Sequence, residues 1–170
     1  MTLKYLALAA TLLALAGPAS AAEPETYAFQ YSPGTTMCRV DYPRADGLTL
    51  AFILLNNGML GTGVIKDRWD IIDGQDPNNS NHTMTVTYAD VGSTTTSIGS
   101  IVDDAKQGVF GMWIAGDGPG TASEAMDLLA KGQIVTVTFD GRALGTFDLH
   151  QKAFTANLLK TCAKDLTPAG

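Results

Sequence analysis

The sequence predicts a mainly β domain: an antiparallel sheet or β-sandwich of about seven to nine strands with two short helices, one of which closes the C-terminus. Three observations carry this. Apolar and polar residues alternate at period two in several short segments, most clearly Thr83–Tyr88 and Ile134–Phe139. Turn signals such as Asp46-Gly47, Asn57-Gly58 and Asp140-Gly141 separate these segments. Helical periodicity is confined to two stretches, so the strand–helix alternation of a doubly wound sheet is missing.

Taken in order, Thr26–Tyr31 alternates large and small groups and reads as a strand. Thr36–Tyr42 puts Cys38, Val40 and Tyr42 on one face and Met37, Arg39 and Asp41 on the other. Leu48–Leu55 is a continuous apolar run, read as a strand covered on both faces, with a short buried helix as the alternative. Asn56–Gly63, rich in glycine, reads as a turn or loop. Arg68–Ile72, around Trp69, is a short strand, and Asp73–Asn81 a polar loop. Thr94–Val102 is a weaker strand, and Val109–Ala115, apolar and aromatic, a central one. Thr121 and Glu124 have the spacing of a capping box, which predicts a helix to Lys131 with Gly132 at its C-terminal end. Asp140-Gly141 predicts a hairpin between Ile134–Phe139 and Leu144–Leu149. The last helix spans about Lys152 to Ala163, with Phe154, Leu158 and Cys162 on one face.

The first 21 residues read as a secretory signal peptide. Lys4 supplies the positive start, Tyr5–Ala16 is apolar but shorter than the roughly 20 residues of a membrane span, and Ala19-Ser20-Ala21 has the small-x-small pattern of a cleavage site. Cleavage after Ala21 or after Ala22 fits equally. Residues 22–25 read as a disordered lead, 26–165 as a single β-rich domain and 166–170 as a tail. The expected location is periplasmic or secreted.

Removing the leader takes away Lys4 and no acid, which leaves ten basic against seventeen acidic residues, a charge of −7. Such a chain repels phosphate backbones, so nucleic acid is not an expected partner. No later segment is apolar for long enough to span a membrane. In an oxidising compartment Cys38 and Cys162 are expected to form a disulfide, the alternative being two buried free thiols. Their separation excludes a CxxC redox or zinc arrangement.

The C-terminal strand, Asp140-Gly141-Arg142, the strand Leu144–Leu149 and a helix ending in Cys162 resemble the C-terminal signature of small exported alphaproteobacterial proteins of the invasion-associated locus B type. The resemblance implies an all-β envelope domain closed by a helix. It implies no active-site residue, and the sparse N-terminal cysteines depart from that family.

Candidate chemistry is thin. The Asp73–Asn81 loop offers oxygen ligands, but without EF-hand spacing or a closing Glu it reads as a solvated turn rather than a calcium site. Its Asn-x-Ser/Thr triplets, Asn78-Asn79-Ser80 and Asn81-His82-Thr83, indicate exposure only. Gly116–Gly120 before a helix has the look of a phosphate cradle but lacks the Gly-Lys-Ser/Thr ending, and Asp117 would repel phosphate. His82 and His150 read as surface or edge-strand residues. Asp103, Asp104 and Asp117 could be paired into a glycosidase site, but seventeen acids make such pairs easy to find. Trp69 and Trp113 read as core residues rather than stacking platforms. No catalytic residue, metal ligand or cofactor is assigned. The expected function is binding, through the loops at Asn56–Gly63, Asp73–Asn81 and Gly116–Gly120, to another envelope or extracellular protein as an accessory or inhibitor. The alternatives are a small hydrolase with a site assembled from distant residues and a structural or stress-related envelope component.

Overall fold

A computed structural model describes residues 27–30, 36–66, 82–97, 100–102 and 107–166. The expected leader, the strand expected at Arg68–Ile72 with Trp69, the expected loop Asp73–Asn81, Asp103-Asp104 and the last four residues lie outside the described residues.

The chain is mainly β, as expected, with ten described strands and two helices. A six-stranded antiparallel sheet contains β1 (Ala28–Gln30), β2 (Met37–Pro43), β3 (Thr49–Leu55), β4 (Leu60–Lys66), β8 (Gln107–Trp113) and β7 (Ser100–Val102), in that order across the sheet. A four-stranded antiparallel sheet holds β10 (Arg142–Asp148), β9 (Ile134–Phe139), β5 (Met84–Tyr88) and β6 (Gly92–Thr96). Helices α1 (Ala122–Lys131) and α2 (Phe154–Ala163) pack on each other and against the large sheet.

The strand register explains the core. Across the large sheet, Cys38, Leu54, Leu60 and Trp113 fall in one row, and Tyr42, Leu50, Val64 and Val109 in another, all facing inward and buried. In the small sheet Met84, Val86 and Tyr88 point in beside Val135, Val137 and Phe139. Both inner faces feed one hydrophobic cluster with the two helices. The opposite face of the small sheet carries Thr85, Thr87, Thr136 and Thr138, the polar half of the expected alternation. A bulge between Ala143 and Gly145 changes the parity of β10, so that Leu144 and Phe147, three residues apart, are both buried.

Four expectations need correction. Asn56–Gly63 is a loop only as far as Met59; the rest opens β4, which lies inside the large sheet. Its glycines admit large cross-strand neighbours: a Cβ at Gly63 would overlap the Phe110 ring, and one at Gly61 would come 2.8 Å from the Met112 sulfur. Glycine there marks a close approach rather than a turn. Thr94–Val102 is two strands, β6 and β7, which belong to different sheets. The capping box is displaced: Glu124 accepts the Gly120 N–H at 2.7 Å, and the Thr121 hydroxyl donates to the Gly118 carbonyl instead of capping α1. Finally, the buried face of α2 is Thr155, Ala156, Leu159 and Cys162, while Leu158 and Phe154 sit at its margin.

The Asp140-Gly141 hairpin forms as expected. Both residues have positive φ, 47° and 77°, the requirement of the two-residue turn that follows strand twist. Cys38 and Cys162 are disulfide-bonded, with Cα atoms 6.1 Å apart. At the other end of the same helix–strand contact, the Tyr42 and Thr155 hydroxyls are hydrogen-bonded in the core. Helix α2 is therefore pinned to β2 twice, covalently near its C-terminus and by hydroxyls near its start.

Candidate functional site

Two of the three loops singled out in the sequence meet at one cleft. The tight turn at Asn57-Gly58 joins β3 to β4, with Gly58 at φ 82° and its N–H on the Leu55 carbonyl. This turn lies against the segment after β8: a Cβ on Gly58 would come 3.2 Å from that of Ala115. Gly58, Ala115 and Gly116 make a wall of small residues. To the same lining α1 contributes Ala122, Ser123, Met126 and Asp127, and α2 contributes Lys160. The cleft holds about 310 Å³, and Leu54, Ala122 and Met126, all buried core residues, form its floor. Ile114, 57% exposed, adjoins it in sequence.

A buried polar chain fixes the loop that forms one lip. The Trp113 indole N–H donates to the Thr94 hydroxyl at 2.8 Å, linking the two sheets. That hydroxyl donates in turn to Glu124 Oε2 at 3.4 Å, and the same oxygen takes the Gly120 amide. The Ala122 amide is held by the Ile114 carbonyl at 2.8 Å. The Glu124 carboxylate thus sits where a phosphate would be placed at this helix start, which disfavours an anion there. Trp113, 1% exposed, is a core residue.

A second cleft, of about 300 Å³, is bordered by Ala89, Asp90, Val91, Gln133, Ile134 and Lys152. None of these residues is buried, so it lacks a floor of core side chains. The first cleft is the better binding site, because an apolar floor open to water gives binding its driving force.

The histidines lie away from both clefts' linings. His82 is more covered than a surface residue: its side chain is 14% exposed and packs 5.0 Å from the Phe139 ring. Its Nδ1 lies 2.6 Å from Asp140 Oδ2, while Asp140 Oδ1 accepts the Thr83 N–H at 2.7 Å. A carboxylate on Nδ1 is how a catalytic imidazole is oriented. However, among the described residues the buried His82 Nε2 has no hydrogen-bond partner, so none of their hydroxyls is aligned on it. The cluster instead ties the β9–β10 hairpin to the start of β5. Nothing in the sequence near His82 pointed to Asp140, which is 58 residues away.

Burial raises the Asp140 carboxyl pKa, but the Thr83 amide, the His82 hydrogen bond and charge, and the Thr83 hydroxyl together hold it below its ordinary 3.8. A depressed carboxyl stabilises the fold above its unfolded pKa, and that stability is lost as pH falls through the folded value. Asp140→Asn keeps a residue that tolerates positive φ and is expected to remove this contribution. The Tm difference between wild type and variant should be largest near neutral pH and shrink on acidification below about pH 4. A difference independent of pH would show that the carboxylate charge plays no part.

Among the described residues no group of three or more His, Cys, Asp or Glu is placed to hold a metal ion, and no helix is long and apolar enough to cross a membrane. Asp117 lies on the exposed loop after β8. No protein-family model, curated protein or solved structure matches the chain.

Proposed function

We propose that this protein is an exported binding domain, periplasmic or secreted, that docks on another envelope or extracellular protein as an accessory or inhibitor. The observation that carries the reading is the cleft between the Asn57-Gly58 turn, the loop after β8 and the two helices, where core side chains are open to solvent. Rigidity of the frame supports it. The disulfide and the Tyr42–Thr155 contact fix α2, and the Trp113–Thr94–Glu124 chain fixes the lip. A preformed site loses less conformational freedom on binding. The disulfide suits an oxidising compartment, and the leader and the C-terminal signature point the same way.

The test fills the cleft without touching the core. Ala115 is exposed and lines the wall, so Ala115→Trp should fold normally. Complexes of the mature protein with envelope proteins are isolated by in-cell crosslinking and sized, and the protein is screened on ester, peptide and glycoside substrates. The reading expects a stoichiometric complex, weakened at least about tenfold by Ala115→Trp, and no turnover. Turnover abolished by changing one polar loop residue would replace it with the hydrolase reading.

A further inference from the structure

We propose that this cleft accepts one large apolar side chain of a partner polypeptide, flanked in that partner by a basic residue on one side and an acidic residue on the other. The inference rests on the binding reading above and specifies the partner's chemistry.

The volume sets the scale. At about 310 Å³ the cleft lies at the lower limit of small-molecule sites, which run from about 300 to 1,000 Å³. Its floor of Leu54, Ala122 and Met126 is apolar and rigid, which suits an anchoring side chain. Gly58, Ala115 and Gly116 in its lining are small, so a partner's main chain can approach closely there.

Charge sets the flanks. Asp127 stands on the rim from α1 and Lys160 from α2, and both are exposed. Among the described residues neither Asp127 nor Lys160 forms an ion pair, so both rim charges are open to a ligand. A ligand with a single charge, such as a fatty acid, meets one attraction and one repulsion. A segment carrying both signs around an apolar centre meets two attractions and is also oriented by them. Because the rim is exposed, the charges act mainly on orientation and association rate, and the apolar anchor supplies the affinity.

A random peptide library is selected on the mature protein, on Ala115→Trp and on the double variant Asp127→Lys/Lys160→Asp. The changed positions are all exposed, and circular dichroism checks the fold. Wild type should enrich peptides with a Leu, Met, Phe or Trp anchor between a basic and an acidic residue. Ala115→Trp should weaken their binding at least tenfold. The charge-exchanged variant should prefer the reversed order of flanks, with an affinity change of about three- to tenfold per charge. Peptides lost in Ala115→Trp but indifferent to the charge exchange would overturn the flank assignment and leave the binding reading standing. If no enriched peptide is sensitive to Ala115→Trp, the anchor itself is wrong and the cleft is not the docking site.

Discussion

Replacing Cys38 and Cys162 together by serine lowers the melting temperature of the protein by roughly 5–15 °C. The bond links residues 124 apart in sequence, so it removes a large loop-closure entropy from the unfolded chain. The chain-entropy model gives about 5 kcal/mol for a loop of this size, and native disulfides deliver about 2–5 kcal/mol when removed. Both half-cystines are buried, so the serines also place two hydroxyls in the core, a change in the same direction. The Tyr42–Thr155 hydrogen bond lies near the other end of the helix and does not restrain its C-terminus. Calorimetry of the double variant measures the loss, and thiol titration of the denatured, unreduced wild type should find no free thiol. A Tm within a degree of wild type would mean that packing alone docks α2.

The second large effect is expected at Gly132. The residue ends α1 with φ −85° and ψ 155°, a backbone that any residue can adopt, so a left-handed cap is not the reason for glycine there. The reason is Tyr88. A Cβ at position 132 would overlap the Tyr88 ring and come within 2.8 Å of its Cβ. Tyr88 is buried on the inner face of β5 and has no room to withdraw. Gly132→Ala therefore forces α1 and the small sheet apart, and overpacking of this kind costs about 1–3 kcal/mol. Gly63→Ala is the informative comparison. It would overlap the Phe110 ring, but Phe110 is only partly buried and can swing toward solvent. Urea denaturation should rank Gly132→Ala as the more destabilising of the two. The reverse order would show that the core around Tyr88 yields more readily than the outer face of the large sheet.

Local periodicity and turn chemistry are legible in the amino-acid order alone. Cys38, Val40 and Tyr42 face the core because alternation leaves no other choice once one face is apolar. The Asp140-Gly141 hairpin forms because few pairs accept two positive φ angles. Both helices lie close to where their periodicity put them, and Cys162 points inward. Whatever depends on partners distant in the chain is set by the packing of the elements. Gly61 and Gly63 read as loop residues until Phe110 and Met112 are placed across the sheet from them. Thr94–Val102 reads as one segment, but its halves pair with different sheets. Glu124 has capping-box spacing, yet Gly120 and Thr94 claim its carboxylate. His82 finds Asp140, and the cleft gathers Gly58, Ala115, Met126 and Lys160 from four separate elements or turns. A site of this kind carries no motif, because its residues come from separate elements and only the packing of those elements brings them together.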